Sequence, residues 1–271
     1  MTTDKNEETA QEEEISPEEE GMSFTEHLEE LRYRLFRIVI AAFVGFLICY
    51  FFKERLFQIL MEPLVGVLPE ASSMIFTGLP EAFFTYLKVS LVAGIFLASP
   101  YIFYQIWRFV SPGMYDTEKK FIIPIAALSA IFFVGGALFG YFVVFPIGFQ
   151  FFVGFATDMI QPMPSLREYF SLAVKLLFAF GIAFELPLFI FFLARLGIVN
   201  SKMLRKQRKY AVLIMFIGGA FLTPPDLISQ ALLSGPLILL YEVSIWVAYF
   251  LGRERKDRKE GSQEDEEEEQ E

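Results

Sequence analysis

The sequence predicts an all-α integral membrane protein with six transmembrane helices, both termini in the cytoplasm and the last two spans short. Three observations carry this prediction. Of the 271 residues, 54% are hydrophobic and 33 are Phe, above the roughly 45–50% apolar content of a soluble domain. The apolar residues gather into six runs, 35–52, 83–107, 121–145, 169–193, 210–222 and 227–251, and a helix needs about 20 residues to cross a hydrocarbon core of about 30 Å. One such run fits a buried soluble helix; six require lipid, where each helix satisfies its own backbone. Finally, 17 Lys and Arg fall on one side of these spans and three, Lys53, Arg55 and Arg167, on the other. Basic residues near span ends are retained in the cytoplasm.

In chain order, residues 1–21 carry nine acidic residues against Lys5 alone, and residues 260–271 carry eight with no basic one. Such Glu-rich segments bury too little apolar surface to offset the entropy of ordering, so 1–21 and 253–271 are read as disordered, solvated tails around a membrane domain at 22–252. The formal charge of −10 belongs to the tails; between Met22 and Lys259, 22 basic residues face 16 acidic ones. An acidic N-terminus lacks the basic n-region of a secretory signal, so the first apolar run is expected to be retained. Ser23 and Glu26 form a capping box that starts a helix. Phe24, Leu28, Leu31 and Leu35 share one of its faces and Glu26, Glu30 and Arg34 another, the pattern of an amphipathic helix at the cytoplasmic membrane surface. Its simplest internal pairs are Glu30 with Arg34 and Glu29 with Arg32.

Farther along, Ser111-Pro112-Gly113 reads as a helix terminator, and Gly136 with Gly140 gives a GxxxG spacing suited to a close helix contact. Glu185 has nine uncharged residues on each side before Lys175 and Arg195, which puts it near mid-membrane. A carboxylate there is a functional candidate, because a central charge costs about 2.5–3.5 kcal/mol on insertion scales; a protonated Glu hydrogen-bonded to a neighbouring helix is the alternative. In the fifth run, 13 residues separate Lys209 from Thr223-Pro224-Pro225-Asp226. At about 1.5 Å per residue they cover about 20 Å, so the hairpin tip at Pro224, Pro225 and Asp226 is expected below the outer headgroups with the bilayer thinned beside it. The competing expectation is a helix that starts earlier, with Lys206 and Lys209 snorkelling.

Cys49 and His27 are the sole residues of their types. A disulfide framework, an imidazole metal cluster and an HExxH zinc site are therefore excluded, no cofactor or metal is expected, and no GxSG or pair of mid-span aspartates suggests an intramembrane protease. The protein is read as not an enzyme. No internal period of 20 to 50 residues repeats.

The stretches HLEELRYR at 27–34, SPYIFYQIWRFVSPGMYDTEKK at 99–120, FGYFVVFP at 139–146, AFGIAFELP at 179–187 and FLTPPDLISQ at 221–230 together resemble the TatC family, the multi-spanning C subunit of the twin-arginine protein translocase. The resemblance runs from Met22 to about Leu251. It implies a bacterial inner-membrane receptor that binds Arg-Arg signal peptides and assembles with single-span TatA-like and TatB-like subunits, as a homo-oligomer within the complex, to export folded proteins on the proton-motive force. It implies no nucleic-acid partner. Carried onto this chain, the signal-peptide site would comprise Glu30 and Glu118, with Arg32, Arg108 and Lys119 nearby, although retention of basic residues in the cytoplasm accounts for those three as well. Glu185 and Gln230 would be intramembrane polar positions open to a partner. Outside that resemblance, a proton-coupled small-molecule transporter would use Glu185, Lys175 and Lys88 as a relay.

Overall fold

The computed structural model describes residues 24–69, 74–76, 78–111, 121–157, 161–222 and 227–251. Both tails, the 112–120 loop with Glu118 and Lys119, and the 223–226 tip with Pro224, Pro225 and Asp226 lie outside the described residues.

Helix α1 runs unbroken from Phe24 to Tyr50, so the predicted amphipathic segment and the first span are one helix. Leu28, Leu31 and Leu35 are exposed along it. Its crossing with α3, Glu81–Val110, is set by two glycines. A Cβ on Gly45 would lie 2.4 Å from the Gly94 carbonyl oxygen, and one on Gly94 would lie 2.4 Å from the Phe46 nitrogen, so the backbones touch where any side chain would separate them.

Between them, α2 spans Lys53–Val65, a helix that no long apolar run announced. Pro63 lacks the N–H that would otherwise bond to the Ile59 carbonyl. The Tyr141 hydroxyl donates to that oxygen at 2.6 Å, and the Tyr169 hydroxyl donates to the adjacent Leu60 carbonyl. Two tyrosines distant in sequence thus hold the helix that its own proline weakens. Pro100 creates the same vacancy at Phe96, where Ser99 Oγ donates at 2.7 Å.

Helix α4, Ile122–Phe139, passes through a π-turn at Gly140–Val144 into α5, Phe145–Val153. Pro146 removes the N–H that would close on Phe142, and the widened turn lies just before it. Helix α6, Leu166–Phe184, bends at Glu185 into α7, Leu186–Arg195, because Pro187 again deletes an intrahelical bond. The expected GxxxG contact is present. A Cβ on Gly136 would lie 2.4 Å from the Phe180 carbonyl oxygen, and from the α6 side a Cβ on Gly181 would meet Phe133 at 2.8 Å. Phe180 is almost wholly buried at this crossing, and Phe145 and Phe170 are as deeply buried elsewhere in the same core.

Helix α7 stops in a Schellman turn. Gly197 takes φ +72°, its N–H donates to the Ala194 carbonyl at 3.1 Å, and the Ile198 N–H donates to the Leu193 carbonyl at 3.0 Å. Helix α8, Ser201–Leu222, and α9, Leu227–Leu251, complete the chain.

By length and composition, five helical segments among the described residues can cross a membrane, including Leu227–Phe250 with 24 residues. The expectation of a short final span is therefore corrected for 227–251. At about 1.5 Å per residue, α9 is long enough, and α8 has 22 helical residues, of which only the apolar half, 210–222, resembles a span. Lys and Arg are good helix formers, so the helix continues through the basic segment instead of ending where hydrophobicity does.

At the end carrying Lys53 and Arg55, the segment around Ile75 pairs with the start of α6: the Leu166 N–H donates to the Ile75 carbonyl at 2.9 Å. Glu81 locks this joint. Its carboxylate accepts the Arg167 N–H at 2.7 Å, Ser165 Oγ at 3.3 Å and the Gly78 N–H at 3.2 Å, so a residue of α3 caps α6 and favours its positive dipole end.

Candidate functional site

Two carboxylates that the sequence singled out occupy constructed surroundings. Glu30 lies on the first third of α1. Arg34, one turn on, donates Nε to Glu30 Oε1 at 2.9 Å and also donates Nη2 to it, while its Nη1 donates to Oε1 of the buried Gln105 on α3 at 3.3 Å. The simple intrahelical pair therefore exists, and a third residue orients it. The other oxygen, Glu30 Oε2, is enclosed and has no hydrogen-bond partner among the described residues; His27 Nδ1 stands 3.9 Å from it. The His27 ring is stacked on Phe109 of α3, centroids 4.4 Å apart. One oxygen of this carboxylate is thus held by Arg34, while the other is enclosed and lacks a described partner. A paired fork of two bonds from a single arginine would have to displace Arg34. Arg32 is exposed and makes no hydrogen bond or ion pair with Glu30 among the described residues.

Glu185 sits at the α6–α7 bend, ten residues or about 15 Å from Arg195, inside the candidate span Leu166–Arg195. Trp107 Nε1 of α3 donates to Ser129 Oγ of α4 at 2.8 Å, and Ser129 stands beside the Glu185 carboxyl. Three helices thus converge on one side chain. Glu185 Oε1 is buried without a partner among the described residues, and a buried polar atom left unpaired costs about 1–3 kcal/mol. The bend explains the placement, since Pro187 opens the helix where the carboxyl projects.

Gln230 is less open than expected: its Nε2 donates to the Phe216 carbonyl and Ser234 Oγ donates to the Met215 carbonyl at 3.2 Å, stitching α9 to α8. Lys175, ten residues before Glu185, is about 15 Å from it along α6 with Phe180 and Ala183 buried in between. No hydrogen-bonded path joins the two among the described residues, which disfavours a relay.

The chain from position 26 to 236 matches the family described as Sec-independent protein translocase protein (TatC). The chain belongs to the TatC family. It is 56% identical over 241 residues, 89% of each chain, to the Sec-independent protein translocase protein TatC of Desulforapulum autotrophicum. It is 40% identical over 238 residues to that of Aquifex aeolicus, covering 87% of this chain and 98% of the relative. A crystal structure of the twin-arginine translocase receptor TatC superposes with a TM-score of 0.75 at 40% identity, covering 82% of this chain and 98% of that one. This TatC-family chain is accordingly a multi-pass membrane protein of the twin-arginine transport pathway.

Sequence reasoning missed Gln105 and Trp107, which orient the two carboxylates, and Glu242, which accepts Arg208 Nη2 at 2.6 Å across the α8–α9 hairpin. The buried Gln105 and Trp107 sit in an apolar run, where nothing local separates them from packing residues. Glu242 carried a readable signal, a lone carboxylate inside the last apolar run.

Proposed function

We propose that this chain is the receptor and core subunit of a twin-arginine translocase in a bacterial inner membrane. Both termini are cytoplasmic, and Arg-Arg signal peptides bind at the cytoplasmic face through Glu30 and Glu118, with Arg32 and Lys119 shaping the approach. Single-span TatA-like and TatB-like subunits dock at the level of Glu185 and Gln230, the assembled complex contains several copies of this chain, and the proton-motive force drives export of folded cargo. The hairpin tip at Pro224, Pro225 and Asp226 faces the opposite side.

The observation that supports this reading most is the Glu30 carboxylate, held on one oxygen by Arg34, which Gln105 in turn orients, and enclosed on the other with no partner among the described residues. Arginine offers several N–H donors in a plane and forms short charge-assisted bonds to carboxylate, whereas lysine offers a compact, strongly hydrated ammonium. Binding of the purified full chain to an Arg-Arg peptide and to its Lys-Lys counterpart tests it. Preference for Arg-Arg is the expected result, and equal affinity rejects the receptor reading.

A further inference from the structure

On the end of the molecule carrying Lys53 and Arg55, a groove of about 630 Å³ opens between α2, α5, α6 and the end of α8. That volume falls within the roughly 300–1,000 Å³ of ligand pockets. Its wall is apolar, built by Leu68, Phe149, Phe152 and Leu222. Along its α6 side run Arg167, Ser171 and Lys175, spaced four residues apart on neighbouring positions of one helix face. Lys175 is exposed although it lies about 13 Å inside the span that starts at Leu166. Neither its ammonium nor the Arg167 guanidinium forms a hydrogen bond or ion pair with any described residue. Glu168 lines the same groove, so two cations face one carboxylate and the groove keeps one net positive charge.

An unpaired cation inside a membrane span calls for a partner, and Lys175 is not needed to hold the fold. Helical side chains lean toward the helix N-terminus, so the Lys175 ammonium is directed back toward Ser171 and Arg167, where a bilayer interface would place headgroups. We infer that this groove binds one anionic phospholipid, its phosphate held by Arg167, Ser171 and Lys175 and an acyl chain lying along Phe149, Phe152 and Leu222. The single net charge of the groove matches the single net charge of a lipid such as phosphatidylglycerol, and the apolar wall of Phe149, Phe152 and Leu222 suits an acyl chain.

Native mass spectrometry of the full chain in detergent, titrated with phosphatidylglycerol, phosphatidylcholine or glycerol phosphate, tests the assignment. Phosphatidylglycerol should bind, and Lys175→Gln and Arg167→Gln should each weaken it by about tenfold, the loss expected for a charge-assisted contact. Lys175→Arg should restore it, phosphatidylcholine should bind more weakly, and glycerol phosphate should neither bind nor displace the lipid. Undiminished phosphatidylglycerol binding by Lys175→Gln, equal binding of phosphatidylcholine, or displacement by glycerol phosphate would overturn the inference. A benzoylphenylalanine at Ser171 in native membranes gives a second measurement that does not depend on the charge variants folding. Capture of phospholipid supports the site, and capture of protein alone refutes it.

Discussion

Replacing Glu30 by Gln tests the receptor reading with little disturbance of shape. Gln Oε1 can still accept from Arg34, but an amide nitrogen then stands where the unpartnered Oε2 was, so an incoming arginine meets a donor in place of a charged acceptor. Side-chain exposures of 23% for Glu30 and 12% for Arg34 mark a partly desolvated site, where solvent screens less than the near-zero value of a fully exposed pair implies. A hydrogen bond to a charged group contributes about 1.5–3 kcal/mol. Because Arg34 already occupies Oε1, one incoming bond is at stake, and the lower end of that range corresponds to about a tenfold weaker Kd. The assay is fluorescence anisotropy of labelled Arg-Arg and Lys-Lys signal peptides on the full chain in nanodiscs. Glu30→Gln should weaken the Arg-Arg peptide by about tenfold and narrow its advantage over Lys-Lys. The parent's advantage should itself shrink as salt rises from 0.15 M to 1 M and the screening length falls from about 8 Å to about 3 Å. If Glu30→Gln separates the two peptides as well as the parent does, Glu30 does not read the arginines.

Three further outcomes follow from the packing. Gly136→Ala should lower the thermal midpoint in nanodiscs, by the equivalent of about 1–3 kcal/mol of overpacking, because its Cβ would press on the Phe180 carbonyl, whereas Gly135→Ala, with nothing within 4 Å, should be neutral; equal effects would contradict the α4–α6 crossing. Tyr141→Phe should cost about 0.5–1.5 kcal/mol by removing the donor to the Ile59 carbonyl. In a Pro63→Ala background, where residue 63 regains its N–H, most of that loss should vanish, and a double-mutant cycle without coupling would show that Pro63 and Tyr141 act independently. Glu185→Ala should weaken site-specific crosslinking to a single-span partner at mid-membrane while leaving peptide binding nearly intact, since the two carboxylates lie at different depths. Parallel loss of both functions would contradict separate sites.

The sequence by itself determined the membrane class, the position of the apolar runs, the segregation of basic residues and the two carboxylates of interest. These depend on local quantities: hydrophobicity summed over about 20 residues, charge near span ends, and an isolated Glu in an uncharged stretch. The GxxxG at Gly136 was also readable, being a local spacing, but its partner was not, because Gly181 and Phe180 meet it only through the α4–α6 crossing. Gly45 and Gly94 form the closest contact of α1 with α3 and carry no mark in sequence, since a glycine in an apolar helix looks the same whether it faces lipid or another backbone. Helix α2 escaped notice because its 13 residues are too few to read as a span and Pro63 argues against a helix until Tyr141, contributed by a later segment, supplies the missing donor. Packing alone decided that Glu30 offers a single free oxygen, since Arg34 is near in sequence but Gln105 lies 71 residues away, and which faces of α1 and α3 meet depends on the steric fit of whole helices. The same dependence put Lys175, Phe149 and Leu222 around one groove. Hydrophobicity selects the residues that enter the bilayer, and only the interlocking of their surfaces selects which polar groups remain unpaired within it.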